Sequence, residues 1–315
     1  MAGNTKRRTI RLQLPSAAAR LDQAICDNCA VLSRTLLRKI IDAGGVHING
    51  RRVRKCGTKT DAGDKVEIFI DGFPFDYYRL SASDIVLQDK YIIVINKPAL
   101  VESQPTPARF KGTLYEALLL WLQDPYRRQI KPSLGMVQRL DRETSGVMIF
   151  SIHTQAHKNL TQAFSQHNAQ KTYLALICGH LENSSGEFVS EVAKNRATNK
   201  MKSVAKGGKL AITHYTTIRQ FEHCSLVEVV IPTGRTHQIR VHFSEAGHPL
   251  LGDVRYGYQP DILDIDVPRT MLHSSQLQCQ HPVTGAMLHL QAPLASDFKS
   301  ILNHLGCTDV DLSAN

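Results

Sequence analysis

The chain has 315 residues, is 42% hydrophobic and carries a formal net charge of +10. That length suffices for one large domain or two with well-buried cores, and no apolar run approaches the ~20 residues a membrane helix needs. Residues 1–80 hold 15 Lys and Arg against 8 Asp and Glu, while the other 235 hold 23 against 20. The basic end points to a polyanionic partner, nucleic acid before membrane.

MAGNTKRRTIRL is basic and lacks the apolar core of a secretory signal. The seven cysteines, at 26, 29, 56, 178, 224, 279 and 307, are an odd number, which fits reduced thiols. A cytoplasmic protein without membrane attachment is expected. Cys26 and Cys29 form a C-x-x-C, but no second pair completes a zinc set, so both are assigned to packing.

Residues 1–18 are read as a basic tail, followed by a compact unit. RLDQAICDNCA has helical apolar spacing, and Ser33 is placed to cap a second helix, RTLLRKIIDAGG, that ends at Gly44-Gly45. VHING, RRVRK and GDKVEIFI read as short strands with turns. R-L-D at 20–22, S-R from Ser33, GVHING at 45–50 and AGDKVEI at 62–68 resemble a small RNA-binding module of the S-four type, over residues 19–72. Phosphate contacts are expected from Arg34, Arg38 and Lys39 on the helix and from Arg51, Arg52, Arg54 and Lys55 on the loop. Such contacts supply affinity rather than sequence choice.

DGFPFDYYRLSAS lacks periodicity, and residues 73–83 are read as a linker. From 84 to 306 strand-like runs outnumber helices: IVLQ, YIIVINKP, GVMIFS, KTYLALIC, LAITHYTTIRQF, CSLVEVVI, and MLHSSQLQC with AMLHLQAP around the turn HPVTG. GTLYEALLLWLQD, HTQAHKNLTQAFSQH and THQIRVHFSEAGH read as helices. Because most neighbouring runs could pair as hairpins, an α+β domain with a mixed, mainly antiparallel sheet is expected. Residues 307–315 are read as a C-terminal tail.

One carboxylate, Asp141, stands between Arg139 and Arg142 in GMVQRLDRETSG, just before an apolar run. Residues 231–257 are dense in polar groups: Arg235, His237, Gln238, Arg240, His242, His248, Asp253 and Arg255. A buried cation there is suited to pair with a carboxylate from another segment and hold it ionised. Metal binding by His237, His242, His248 and Asp253 lacks helical H-x-x-x-H spacing. No G-x-S-x-G, phosphate loop or G-x-G-x-x-G occurs, so serine hydrolysis, nucleotide hydrolysis and hydride transfer have no support.

Gln138-Arg139-Leu140-Asp141-Arg142-Glu143-Thr144-Ser145-Gly146, with YIIVINKP, KTYLAL, TGRTHQIRVH, GHPLLGD, YG and LH..L...HP in order, resembles the RluA-type family of RNA pseudouridine synthases. The resemblance implies cofactor-free isomerisation of uridine in RNA, with Asp141 as the catalytic carboxylate, either attacking C1′ or removing a sugar proton. It implies Arg240 as the salt-bridge partner of Asp141, and Arg235 as the second candidate. Tyr173 would stack on the target base, and Arg139 would fill the stack vacated by a flipped nucleotide. His237, Gln238 and Leu272 are assigned to the substrate pocket. Ribosomal large-subunit RNA is the expected substrate, transfer RNA the alternative, and a monomer the expected form; a non-catalytic RNA-binding assembly factor is the rival reading. The chain departs from the family in Gln138, where His is usual, and in ALVESQPTP after VINKP.

Overall fold

A computed structural model describes residues 7–127, 129–260 and 263–307. The first six residues of the expected basic tail, and all of the expected C-terminal tail beyond Cys307, lie outside them. Contacts divide the chain into two units, Met1–Leu80 with Val101–Pro132, and Ser81–Leu100 with Ser133–Asn315.

The first unit carries an antiparallel sheet of β1 (Arg8–Gln13), β2 (Val46–Ile48), β3 (Arg51–Val53) and β4 (Lys65–Ile70), in the order β1-β4-β2-β3. It also holds helices α1 (Leu21–Asn28), α2 (Arg34–Ala43) and α3 (Leu114–Trp121). β1 corrects the reading of residues 1–18 as a tail: Ile10 lies opposite Ile68, and Ile10 and Leu12 pack on the core. Two alternating apolar residues among arginines are too weak a pattern to announce a strand. The Ser33 hydroxyl accepts from Leu36 N at 3.3 Å and caps α2. Gly44, at φ 94°, closes the helix in a left-handed conformation open to glycine without steric cost. Leu21, Ile25, Leu37, Ile40, Ile41, Val66 and Ile68 are buried between helices and sheet, each contributing ~1.5–3 kcal/mol by leaving water. Cys29 joins this core and Cys26 packs at its edge.

The second unit is built on strands β5 (Ile85–Gln88), β6 (Ile92–Lys97), β7 (Gly135–Met136), β8 (Ser145–Ser151), β9 (Gln170–Cys178), β10 (Ser185–Lys194), β11 (Met201–Val204), β12 (Lys209–Gln220), β13 (Cys224–Val230), β14 (Leu272–Gln280) and β15 (Met287–Gln291). They form one sheet in the order β11-β10-β12-β13-β9-β14-β8-β6-β5, with β15 on β14 and β7 on β8. Pairing is antiparallel except between β8 and β14. Helices α4 (Thr154–Ser165), α5 (Gln238–Glu245) and α6 (Ser296–His304) complete the unit. This is the mixed, mainly antiparallel α+β arrangement anticipated from the sequence.

All seven residues of β8 are buried, as its unbroken apolar run predicts. Its parallel match to β14 joins His273 to Ser145 and Ser274 to Gly146. A side chain at Gly146 would put Cβ 2.2 Å from Ser274 O, and the residue has φ 114°, so glycine is what lets the two strands meet. The order β9-β14-β8 thereby brings Tyr173, Leu272 and the turn before β8 to one place. Among the described residues, no helix is long and apolar enough to cross a membrane.

Candidate active site

Asp141 opens a tight turn before β8, closed by Thr144 N donating to Asp141 O at 3.1 Å. The two carbonyls inside the turn are each held by a buried cation. Lys97, fully buried at the end of β6, places Nζ 3.3 Å from Arg142 O. Arg269, 2% exposed, donates Nη1 to Glu143 O at 2.9 Å, Nη2 to Ser145 Oγ at 3.1 Å, and both Nε and Nη2 to Asp297 at 2.6 and 2.8 Å. Ser145 continues the chain of bonds. The Ala292 carbonyl, 3.2 Å from His273 Nε2, can only accept, so Nε2 carries the proton and Nδ1 accepts from the Ser145 hydroxyl at 2.9 Å. Burial pushes His273 down to about 4, so this ring is neutral at ordinary pH.

The Asp141 carboxylate faces α5. Arg240 Nη1 donates to Asp141 Oδ2 at 3.0 Å. The rest of that guanidinium grips Asp253, Nε to Oδ2 at 2.6 Å and Nη2 to Oδ1 at 2.8 Å. Burial pulls the Arg240 pKa down, but bonds and charge from Asp253 and then Asp141 outweigh it, leaving the group above its usual range. Arg240 also lies 5.0 Å from the centre of the Tyr256 ring. The Tyr256 hydroxyl accepts from Met201 N at 3.1 Å and sits 2.8 Å from His237 Nδ1. With the phenol donating to Nδ1, the Nε2–H of a neutral His237 faces Asp141 Oδ2 at 3.6 Å. Burial lowers the His237 pKa, with Asp141 opposing and Arg240 and Arg255 assisting.

Tyr173, on β9, shares a concave pocket with Asp141, Arg139, Arg235, His237 and Leu272. It is 6% exposed, and burial raises its pKa to about 12 against a hydrogen bond from Ser274, with Asp141 adding to the rise. Arg139 is exposed at the rim and donates Nη2 to Thr236 Oγ1. Arg235 is fixed by Nε donating to Leu210 O at 2.8 Å. Gln238 touches the pocket, but its amide is spent inside the protein. Oε1 accepts from Thr233 Oγ1 and Arg235 N at 2.9 and 3.0 Å, and Nε2 donates to Ile212 O and Thr213 Oγ1 at 2.7 and 3.0 Å. Its geometry is that of a brace under the 233–238 loop rather than a ligand for substrate. Gln138 Nε2 is buried with no acceptor among the described residues.

The seven cations expected to meet RNA are not equally available. Asp22 is wholly buried, and Arg20, Arg34 and Arg38 donate to it at 3.0, 3.3 and 2.9 Å. Arg34 and Arg38 keep half of each side chain exposed. Arg52 turns inward, donating to Gly44 O and Thr106 O at 2.8 and 2.5 Å, and Arg54 lies 4.3 Å over the Phe110 ring. Lys39, Arg51 and Lys55 are exposed.

A family model described as RNA pseudouridylate synthase matches residues 91–245, and one described as S4 domain matches residues 20–66. The protein called ribosomal large subunit pseudouridine synthase D of Pasteurella multocida (strain Pm70) is 32% identical over 93% of this chain and 93% of its own length. This chain belongs to the RNA pseudouridylate synthase family. A synthase D of Vibrio parahaemolyticus is 34% identical over 91% of this chain and 90% of that protein. The solved human RNA pseudouridylate synthase domain containing 4 has the same fold, with a TM-score of 0.59 at 24% identity, covering 71% of this chain and 93% of that one.

Reading the sequence of this pseudouridylate synthase picks out Asp141, Tyr173 and Arg240, which the fold gathers around one pocket. It misses Asp253 as the anchor of Arg240, and it misses Tyr256, Lys97 and Arg269. Asp253 and Tyr256 lie in GHPLLGDVRYG, a stretch already notable for its polar density. Arg269 stands alone in VPRTMLH and gives no local signal.

Proposed function

We propose that this synthase converts uridine to pseudouridine in large-subunit ribosomal RNA, with Asp141 as the reacting carboxylate and no cofactor. What carries the reading is the Asp141–Arg240 pair, 3.0 Å apart at a pocket that also holds the Tyr173 ring. The reaction breaks the C1′–N1 bond, rotates the uracil and joins C5 to C1′; C5 loses a proton and N1 gains one. Attack of Asp141 on C1′ and removal of a sugar proton by Asp141 both use the same anion, and a guanidinium fixed in place stabilises the charge as it is redistributed. Reaching C1′ requires the nucleotide to leave its stack. Tyr173 offers its ring to the base, and Arg139 at the rim is placed to enter the gap. The S4 module supplies backbone affinity from Lys39, Arg51 and Lys55, with the outer halves of Arg34 and Arg38. The relatives called synthase D support ribosomal over transfer RNA as substrate. The protein acts as a single chain in the cytoplasm.

The test incubates unmodified large-subunit ribosomal RNA and transfer RNA with wild-type protein and with Asp141→Asn, and maps pseudouridine by reverse-transcription stops after carbodiimide treatment. Wild type should modify ribosomal RNA, and Asp141→Asn should bind equally well and modify nothing. Modification of transfer RNA alone would move the substrate. Modification by the variant would exclude Asp141 as the reacting group.

A further inference from the structure

Lys171 lies two residues before Tyr173 on β9, so both side chains leave the same face of the strand. It is 8% exposed, and among the described residues it has neither a carboxylate partner nor a hydrogen-bond acceptor. The charge that bears on it is of its own sign: burial first, and then Arg235, push its pKa below the usual range. An ammonium largely withdrawn from water beside a guanidinium, with no anion between them, is costly. It is relieved when an anion arrives.

Arg235 uses Nε to hold Leu210 O at 2.8 Å, and Nη1 and Nη2 have no acceptor among the described residues. Gly234 stands over the ammonium, where a Cβ would come to 3.5 Å from Lys171 Nζ. Arg235 lines two concavities, the pocket of Asp141 and Tyr173 and an adjoining groove of about 360 Å³. That groove is lined by Lys194, Lys209, Gly207, Gly208 and Gly234 alongside Val192 and Met201, so the cations and exposed backbone share it with apolar side chains. Glu191, the acid beside it, is turned to accept from Gly208 N at 2.9 Å.

We propose that Lys171 and Arg235, continued by Lys209 and Lys194 along the groove, form a phosphate subsite that grips the RNA backbone next to the flipped nucleotide. The proposal rests on the reading of the Asp141 pocket as the uridine site. Its physical logic is register: a base held by Tyr173 is fixed along the strand only if the phosphate attached to it is held as well. Phosphate contacts set position without choosing sequence.

The test measures binding of fluorescein-labelled hexauridylate by anisotropy from low to moderate salt. Lys171→Met should weaken binding roughly fivefold to tenfold and flatten the slope of log K against log salt by about 0.7, the share of one single-strand phosphate contact. Lys171→Arg should restore most of both. The same hexauridylate with neutral methylphosphonate linkages should bind Lys171→Met and wild type alike, and Arg235→Gln provides the same comparison should Lys171→Met fail to fold. Unchanged affinity and slope in both variants would overturn the proposal, as would an equal loss with the charged and the neutral probe. Neither measurement needs pseudouridine to form, so a failure here leaves the isomerase reading intact, and a failure of the Asp141→Asn experiment leaves this one interpretable.

Discussion

Arg240 joins two carboxylates through one guanidinium: Nη1 reaches Asp141 at 3.0 Å, while Nε and Nη2 hold Asp253 at 2.6 and 2.8 Å. Asp253 is 1% exposed and Asp141 side-chain exposure is 24%, so the buried acid anchors the arginine and the more open acid receives its remaining edge. Asp253→Asn should therefore lower stability, by less than the ~3–5 kcal/mol of a buried charge left wholly unpaired, because Asp141 still faces the guanidinium at 3.0 Å. It should also slow single-turnover isomerisation at saturating RNA at least tenfold. Urea unfolding and tritium release from 5-tritiated uridine read the two effects. Wild-type values in both would remove Asp253 from its positioning role.

His273 makes the turn that carries Asp141 sensitive to acid. Its folded pKa is about 4 against about 6.5 in the unfolded chain. The unfolded chain binds the proton first as pH falls. The stability is thus fully present above the unfolded value and is lost between the two, by about 3 kcal/mol. Urea midpoints from pH 7 to 4 should fall steeply for wild type and less for His273→Asn. Parallel curves would show that the ring does not titrate as its burial requires.

Tyr173 gives the opposite signature. Its pKa of about 12 exceeds the unfolded value of about 10, so its contribution is complete below pH 10 and lost as pH climbs to 12, about 2–3 kcal/mol in all. Tyr173→Phe should lack this alkaline loss. With the ring kept and the phenol removed, the variant should bind RNA normally and isomerise uridine about 10²-fold more slowly if the hydroxyl moves a proton. Undiminished turnover would restrict the residue to stacking.

In the S4 module the structure separates cations that face solvent from those that hold the fold. Replacing Lys39, Arg51 and Lys55 together by Met should lower RNA affinity and reduce the salt slope by about 2, near 0.7–0.9 per phosphate released, with unchanged thermal stability. Arg52→Met should instead destabilise the module by about 1–3 kcal/mol for the Gly44 carbonyl it leaves without a donor, while Thr106 O keeps Arg109 N at 3.2 Å. Swapped outcomes would reverse the assignment.

The strands that flank the pocket were legible because they are apolar runs with turn residues at their ends, and Ser33 and Gly44 marked α2 by local chemistry alone. β10 and β11 were not, because SGEFVSEVAK and MKSV lie with much of their surface exposed and carry charge where a buried strand would carry valine. The clustering of Val101–Pro132 with the first unit has no local mark either. Within the site, Asp141, Tyr173 and Arg240 are visible through motifs. Lys97, Asp253, Tyr256 and Arg269 act through contacts that span from 13 to 126 residues; those of Asp253 and Tyr256 fall inside the 231–257 stretch, but those of Lys97 and Arg269 join segments that no local pattern connects.

The turn bearing Asp141 is clamped by Arg269, which Asp297 holds in its turn. While the ribosome is still making this chain, the segment bearing Asp141 emerges more than a hundred residues before Arg269. A nascent chain therefore carries the carboxylate without the groups that aim it. Competence arrives late in synthesis and all at once, when the final strands dock, so truncated products should be inert even though every residue of the Asp141 motif is present.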